Sequence, residues 1–150
     1  MGIALVPYSN DLKQEVFRFT DTCFAELGKK FEPDGRHCFY NDINGFFEVF
    51  YCLTTDDDQV IGTASLKKLD EHTAELKALY LDNRYRGQGL GKRLLNAVIG
   101  EARHRGYKTV VLDSMKQYRA ARNLYEKCGF TDCGRYNDNS YADVFMKLDL

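Results

Sequence analysis

Tryptophan is absent from this chain, and proline occurs only twice, at Pro7 and Pro33. So few prolines leave no stiff Pro-rich linker, and no stretch is repetitive or low in complexity. No apolar run approaches the roughly 20 residues that a membrane span requires. Met1 to Tyr8 lacks a basic segment followed by a long apolar core. No signal peptide is therefore expected, and the chain reads as cytoplasmic. Neither sign of charge dominates: the formal net charge is -1. That balance argues against bulk nucleic-acid binding, which needs a broad basic surface. Five cysteines (Cys23, Cys38, Cys52, Cys128 and Cys133) are scattered, odd in number and without a C-x-x-C pair. Neither a zinc site nor a redox motif is expected from them, and they read as free, mostly buried thiols.

What is present is enough for one folded unit. The 150 residues are 44% apolar, which supports a real core and a single domain over 1–150. Ile3 to Val6 reads as a short strand ended by Pro7. Ser9 to Asp11 offers N-caps for an amphipathic helix on which Leu12, Val16, Phe19, Cys23 and Leu27 recur, closed by Gly28. Lys29 to Asn44 is polar, with a turn at Pro33-Asp34-Gly35 and a short helix after it. Three strands follow, Phe46 to Leu53, Val60 to Leu69 and Thr73 to Leu81. Their short connections imply an antiparallel meander. Leu90, Leu94, Leu95, Val98, Ile99 and Ala102 form the buried stripe of a helix from Leu90 to Arg105, stopped by Gly106. Thr109 to Leu112 is a wholly apolar strand, hence internal and parallel to the strand before the helix. Tyr118 to Lys127 is a second helix, capped by Gly129 with Phe130 folding back on it. Cys133 to Tyr136 and Val144 to Leu148 read as a closing hairpin around Asn137 to Ser140. The sum is an α/β (α+β) fold with a mixed sheet and helices on its faces.

Between the third meander strand and the longest helix lie three glycines, Gly87, Gly89 and Gly91, flanked by Arg84, Arg86, Lys92 and Arg93. Bare backbone at a helix mouth lets N–H groups point at a ligand, and the helix dipole favours an anion there. This reads as a pyrophosphate cradle. The Rossmann fingerprint G-x-G-x-x-G fails, because Lys92 stands three after Gly89. The P-loop G-x-x-x-x-G-K-[ST] fails at Arg86 and again at Arg93. What remains is Arg86-Gly87-Gln88-Gly89-Leu90-Gly91, an R-x-x-G-x-G pattern.

On those residues the chain resembles the GNAT superfamily of acyl-CoA-dependent N-acetyltransferases, whose hallmark is Q/R-x-x-G-x-G/A between this strand and this helix. The resemblance extends to Leu124-Tyr125-Glu126-Lys127-Cys128-Gly129-Phe130, which is similar to the family's Y-E-K-x-G-F run. Asn83 departs from the pattern, since many members have proline there. The resemblance implies a mostly antiparallel sheet of six to seven strands flanked by about four helices, with a splayed parallel strand pair. It implies acetyl-CoA as acyl-donor co-substrate, no metal, and a primary amine of a small molecule or peptide as acceptor, attacking directly in a ternary complex. The amides of Gly87, Gln88, Gly89, Leu90, Gly91 and Lys92 would hold the pyrophosphate, with Arg86 ordering the loop. Leu79, Tyr80 and Leu81 would pair with the pantetheine arm along an exposed strand edge. The Leu81 N–H would face the developing oxyanion.

Two catalytic roles follow from the same resemblance. Glu75, on the strand before the loop, is the candidate base, because an amine of pKa about 10.4 must lose a proton before it attacks. The plain alternative is a solvated glutamate or a partner of Lys67 or Lys77. Alternation puts Glu75, Lys77, Leu79 and Leu81 on one face and Leu76, Ala78 and Tyr80 on the other. Tyr125 occupies the general-acid position, the alternative being a core tyrosine. Asn123 would contact the pantetheine. Arg122 and Lys127 would meet the 3′-phosphate or stand as solvated charges. For the acceptor, the segment after the first helix offers Glu32, Asp34, Arg36, His37, Tyr40 and Asp42. The last hairpin offers Tyr136, Asn137, Asp138, Tyr141 and Asp143. Acidic and aromatic groups suit a cationic amine, whereas Arg36 or His37 suits a carboxylate. Transfer of another acyl group, or a non-catalytic CoA-binding regulator, are the rival readings; the two failed motifs disfavour a nucleotide switch. Val144 to Leu148 reads as an edge that a homodimer would cover.

Overall fold

The computed structural model describes residues 2–150. In chain order its elements are β1 (Ala4–Pro7), α1 (Lys13–Glu26), α2 (Ile43–Phe46), β2 (Val49–Thr54), β3 (Val60–Lys68), β4 (Thr73–Leu81), α3 (Leu90–His104), β5 (Thr109–Ser114), α4 (Arg119–Lys127), β6 (Thr131–Asp132) and β7 (Val144–Asp149). One seven-stranded sheet runs β1-β2-β3-β4-β5-β7-β6. Every neighbouring pair is antiparallel except β4 and β5. The expected mixed, mostly antiparallel sheet with four helices is what forms. Among the described residues no helix is long and apolar enough to cross a membrane.

Each face of the sheet carries its own core. The stripe read from periodicity (Leu90, Leu94, Leu95, Val98, Ile99 and Ala102) is buried on α3. It packs with Leu53, Leu66, Leu76, Val110 and Leu112, and Tyr125 and Phe130 extend the same layer. Each fully buried leucine here contributes about 1.5–3 kcal/mol. The other face is aromatic: Phe19 and Phe24 of α1 meet Phe31, Tyr40, Phe47 and Phe50.

Several boundaries differ from the sequence reading. Ser9 makes no side-chain cap, and a 3₁₀ turn over Asn10–Leu12 leads into α1 instead. Phe46 is helical rather than the start of a strand. Asp42 caps α2 by accepting from the Gly45 N–H at 3.1 Å, and Phe46 stacks on Phe39 with centroids 4.6 Å apart. Packing of these β-prone rings overrides their local preference. Cys133 to Tyr136 is no strand; the ladder to β7 is Thr131–Asp132, and the Cys133 N–H adds one bond to Phe145 O at 2.8 Å. The Arg135 guanidinium gathers the following loop by donating to the carbonyls of Asn139 (2.9 Å) and Ala142 (3.0 Å), and it lies over Phe145. β7 is not a bare edge either. It pairs with β5 over all six residues, and β6 covers Met146 and Lys147, so the edge argument for a dimer falls away.

One irregularity matters most. Thr63 faces Tyr80 and Ser65 faces Lys77, so β4 spends three steps where β3 spends two. The extra residue is taken up at Ala78, which has φ 54°. A left-handed alanine costs about 1–2 kcal/mol. Thr63 Oγ1 donates to Ala78 O and Ser65 Oγ to Lys77 O, both at 2.7 Å, and these bonds hold the bulge. A bulge inverts the alternation beyond it. The face assignment made from strict alternation is therefore corrected. Leu76, Leu79 and Leu81 pack on the α3 side, whereas Ala78 and Tyr80 join the aromatic core on the α1 side. Glu75, alternating with Leu76, turns toward the α1 side.

Candidate active site

β4 and β5 part company early. They pair only at Thr73–Thr109, Ala74–Val110 and Glu75–Val111. From Leu76 onward the β5-facing edge of β4 borders a gap, and Leu79, Tyr80 and Leu81 lie along it. The Asp82 N–H donates to Ile61 O at 2.8 Å. Backbone groups alternate in direction along a strand, so the Leu81 N–H points away from β3 and into the gap.

At the end of this edge the chain turns into α3. Asp82 caps the turn by accepting from the Arg84 N–H at 2.9 Å and pairs with the Arg84 guanidinium at 2.8 Å. That hydrogen bond holds the Asp82 carboxyl below the usual carboxylate range. Arg84 is thereby spent, and Arg93 donates to Ile3 O at 3.0 Å. Arg86 and Lys92 stay exposed and unpaired among the described residues. The Arg86 N–H reaches Asn83 O, and the Arg93 N–H reaches Gly89 O at 3.1 Å. Between them the N–H groups of residues 87–92 have no partner among the described residues. Gly87 (φ 80°) and Gly89 (φ 77°) have open space where a Cβ would stand. Successive free amides at the positive end of a 15-residue helix form an anion site, and these residues fit a diphosphate.

Tyr125 is buried on the inner face of α4, its ring 5.9 Å from that of Phe130. Its hydroxyl makes no protein hydrogen bond among the described residues. Burial, then the Asp113 carboxylate, pushes its pKa above the ordinary phenol value. Asn123 is exposed on the same helix. Arg122 is tied to Asp132 at 3.0 Å and Glu126 at 3.4 Å, a surface network rather than a free phosphate ligand.

Glu75 is 3% exposed, which rules out the solvated reading. The Tyr136 hydroxyl donates to its Oε2 at 2.5 Å, and Lys77 Nζ lies 3.6 Å from its Oε1. Lys67 is the register partner of Glu75, but its ammonium lies over Phe46. The gathered loop thus carries Tyr136 across the sheet to Glu75. Burial first, and then Glu75, raises the Tyr136 phenol well above its ordinary value.

Two residues beyond the last β5 residue paired with β4 stands Asp113, which sequence reasoning missed. Asn137 Nδ2 donates to Asp113 Oδ2 at 2.7 Å and Asn139 Nδ2 at 3.3 Å. Tyr118, at the head of α4, was also missed; its hydroxyl is buried with no partner among the described residues. An aspartate ending an apolar strand and a tyrosine before a helix gave no signal of their own. The expected acceptor lining is partly dispersed. Tyr40 is core at 2% exposure, and Asp143 accepts from the Lys116 N–H. His37 Nδ1 accepts from the Glu32 N–H at 3.0 Å, and burial and Arg36 lower its pKa. A neutral His37 is a poor carboxylate holder. Arg36 does meet the last loop, 4.3 Å from the exposed ring of Tyr141.

The buried phenols make a stability prediction. Burial raises the pKa values of Tyr40, Tyr80, Tyr125 and Tyr136 in the folded chain. The stabilisation this represents is complete below the unfolded phenol value of about 10 and is lost as pH climbs through the folded values. The thermal midpoint should fall steeply above pH ~10. A midpoint unchanged between pH ~9 and ~11 would contradict these burials.

Residues 14–130 match the model of the acetyltransferase (GNAT) family. Human N-acetyltransferase 8B is 34% identical over 103 residues, 65% of this chain and 44% of that protein. The uncharacterized N-acetyltransferase YsnE of Bacillus subtilis is 32% identical over 107 residues, 69% of this chain and 71% of that protein. Against most such curated relatives the chain spans about half of their length or less. A GNAT-family acetyltransferase structure from Staphylococcus aureus Mu50 superposes with a TM-score of 0.90 at 21% identity, covering 99% of each chain. The structure of yncA from Salmonella typhimurium with its cofactor acetyl-CoA has a TM-score of 0.75 at 20% identity, over 99% of this chain and 94% of that one. At such identities the structural likeness is one of fold.

Proposed function

The chain belongs to the GNAT family of acetyltransferases, and from that premise we propose that it moves an acetyl group from acetyl-CoA to a primary amine of a small molecule or peptide in a ternary complex. The observation that carries this reading is the run of unpartnered amides at 87–92 opening directly beside the β4–β5 gap. In the proposal, those amides hold the donor's diphosphate, with Arg86 and Lys92 adding charge. The free edge at Leu79, Tyr80 and Leu81 aligns the donor's arm, and Asn123 contacts it. The Leu81 N–H donates to the carbonyl oxygen as negative charge develops there. The acceptor enters from the α1 side, where Glu75 and Asp113 supply negative charge. With the bulge taken up, Glu75 and Leu81 face Lys67 and Gly62, five steps of β3, so roughly 17 Å separates them. In the proposal, Glu75 takes the amine's proton through a relay of several waters along the gap. Tyr125, on the α3 side, protonates the departing thiolate.

The test is thiol release from acetyl-CoA against a panel of amino acids, polyamines, aminoglycosides and peptide N-termini. Release with at least one amine is expected. No release with any, together with no heat on titrating coenzyme A, would overturn the reading. With an accepted amine in hand, Glu75→Gln should lower kcat about 100-fold, most at low pH where free amine is scarce. Glutamine can still accept from Tyr136, so the fold should persist. A pH–rate profile that overlays the parent's would remove Glu75 as base.

A further inference from the structure

Lys29 is the cation that spans the gap. Its N–H donates to Phe24 O at 2.7 Å, which fixes its backbone just past α1. Its ammonium lies 4.6 Å from the ring centroid of Phe24, 5.6 Å from that of Tyr80 and 5.6 Å from that of Tyr118. All three lie within cation–π range. Tyr80 belongs to β4 and Tyr118 follows β5, so the two rings stand on opposite walls of the gap. A group within 6 Å of both sits across its mouth, on the side from which the acceptor enters. Lys29 has no carboxylate within ion-pairing distance among the described residues, whereas Lys77 pairs with Glu75 and Lys147 with Asp149. It is half-buried, while its neighbour Lys30 is exposed.

Resting on the acetyltransferase reading above, we infer that Lys29 is an internal acceptor: the chain acetylates its own Lys29 Nζ. Burial and then Arg36 lower the pKa of this amine, and Asp113 opposes them, so its neutral form is more available than that of a solvated lysine. In the step, the ammonium first gives a proton to water on the Glu75 and Asp113 side. The nitrogen lone pair then forms a C–N bond to the thioester carbonyl carbon, the C–S bond breaks with its electrons on sulfur, Tyr125 protonates the thiolate, and the nitrogen's second proton passes through water to restore the Tyr125 hydroxyl. The products are Nε-acetyl-Lys29, free coenzyme A and one released proton, so atoms and charge balance with acetyl-CoA as the only co-reactant. The neutral amide no longer binds the three rings as a cation, so the modification changes the charge at the mouth.

The experiment incubates the full chain with acetyl-CoA and no added amine, then reads intact mass and maps the acetylated peptides. A parallel trace labelling with acetic anhydride, without acetyl-CoA, gives each lysine's chemical reactivity. The expected result is one acetyl group per chain at Lys29, formed at a rate independent of protein concentration. Its enzymatic-to-chemical labelling ratio should exceed that of Lys13 or Lys30 at least tenfold. Lys29→Arg should keep the thermal midpoint and lose the label. An unlabelled Lys29, or a ratio equal to those of the surface lysines, overturns the inference. The amine panel on the same preparation separates the two failures: thiol release with an external amine but no label on Lys29 sinks only this inference, whereas neither signal sinks the acetyltransferase reading too.

Discussion

Gly89→Asp is expected to give a folded chain that has lost coenzyme A. Gly89 is the N-cap of α3, at φ 77°, and no side chain caps the helix. Aspartate is among the few residues that visit the left-handed region, at a cost of about 1–2 kcal/mol. Its carboxylate stands at the positive end of α3, where an acidic group contributes about 0.3–1 kcal/mol. The two effects partly offset each other, so stability should change by about 1 kcal/mol. The ligand side is different. The new carboxylate stands at the amides that would hold the diphosphate and repels it. Two unit charges 4 Å apart at an effective dielectric of 20 differ by about 4 kcal/mol, roughly a thousandfold in affinity. Calorimetry should show the Kd for coenzyme A raised by at least ~100-fold, with the thermal midpoint nearly unmoved. Gly89→Ala isolates the backbone term and should cost less affinity. Undiminished binding by Gly89→Asp would remove the cradle from the site.

Much of this site was legible because its signals are local. A glycine cluster before an apolar stripe specifies a bare helix mouth whatever surrounds it, and Gly87, Gly89 and α3 stand where the sequence put them. The meander was legible because its connections are short. What failed was whatever needed a long-range partner. The left-handed Ala78 carries no mark in the sequence, since the bulge is held by hydroxyls of Thr63 and Ser65 on another strand. Strict alternation therefore placed Leu79 and Leu81 on the wrong face. The gathered loop after β6 reads as a strand by composition. Only the arginine bonds within it reveal that it leaves the sheet to bring Tyr136 to Glu75, 61 positions away in sequence. Lys29 was passed over for the same reason: its three rings come from α1, β4 and the head of α4.

Tyr125→Phe should depress kcat about 100-fold while leaving the Kd for acetyl-CoA unchanged. The ring would still pack on Phe130. The lost hydroxyl strands no partner, because it makes no protein hydrogen bond among the described residues, so the change should cost little stability. An ordinary phenol titrates near pH ~10 and a thiol near ~8.5, so proton donation to a thiolate is uphill in water. Burial raises the phenol further, but a thiolate leaving in the same dry layer loses its hydration as well, and that raises its own proton affinity. The donation becomes feasible because both partners are desolvated together. One consequence separates acid catalysis from packing. Since the folded phenol keeps its proton well past pH ~10, the deficit of Tyr125→Phe should be as large at pH ~9 as at pH ~7. A deficit that vanishes as pH rises would assign the acid to another group, and an unchanged kcat would return Tyr125 to the core.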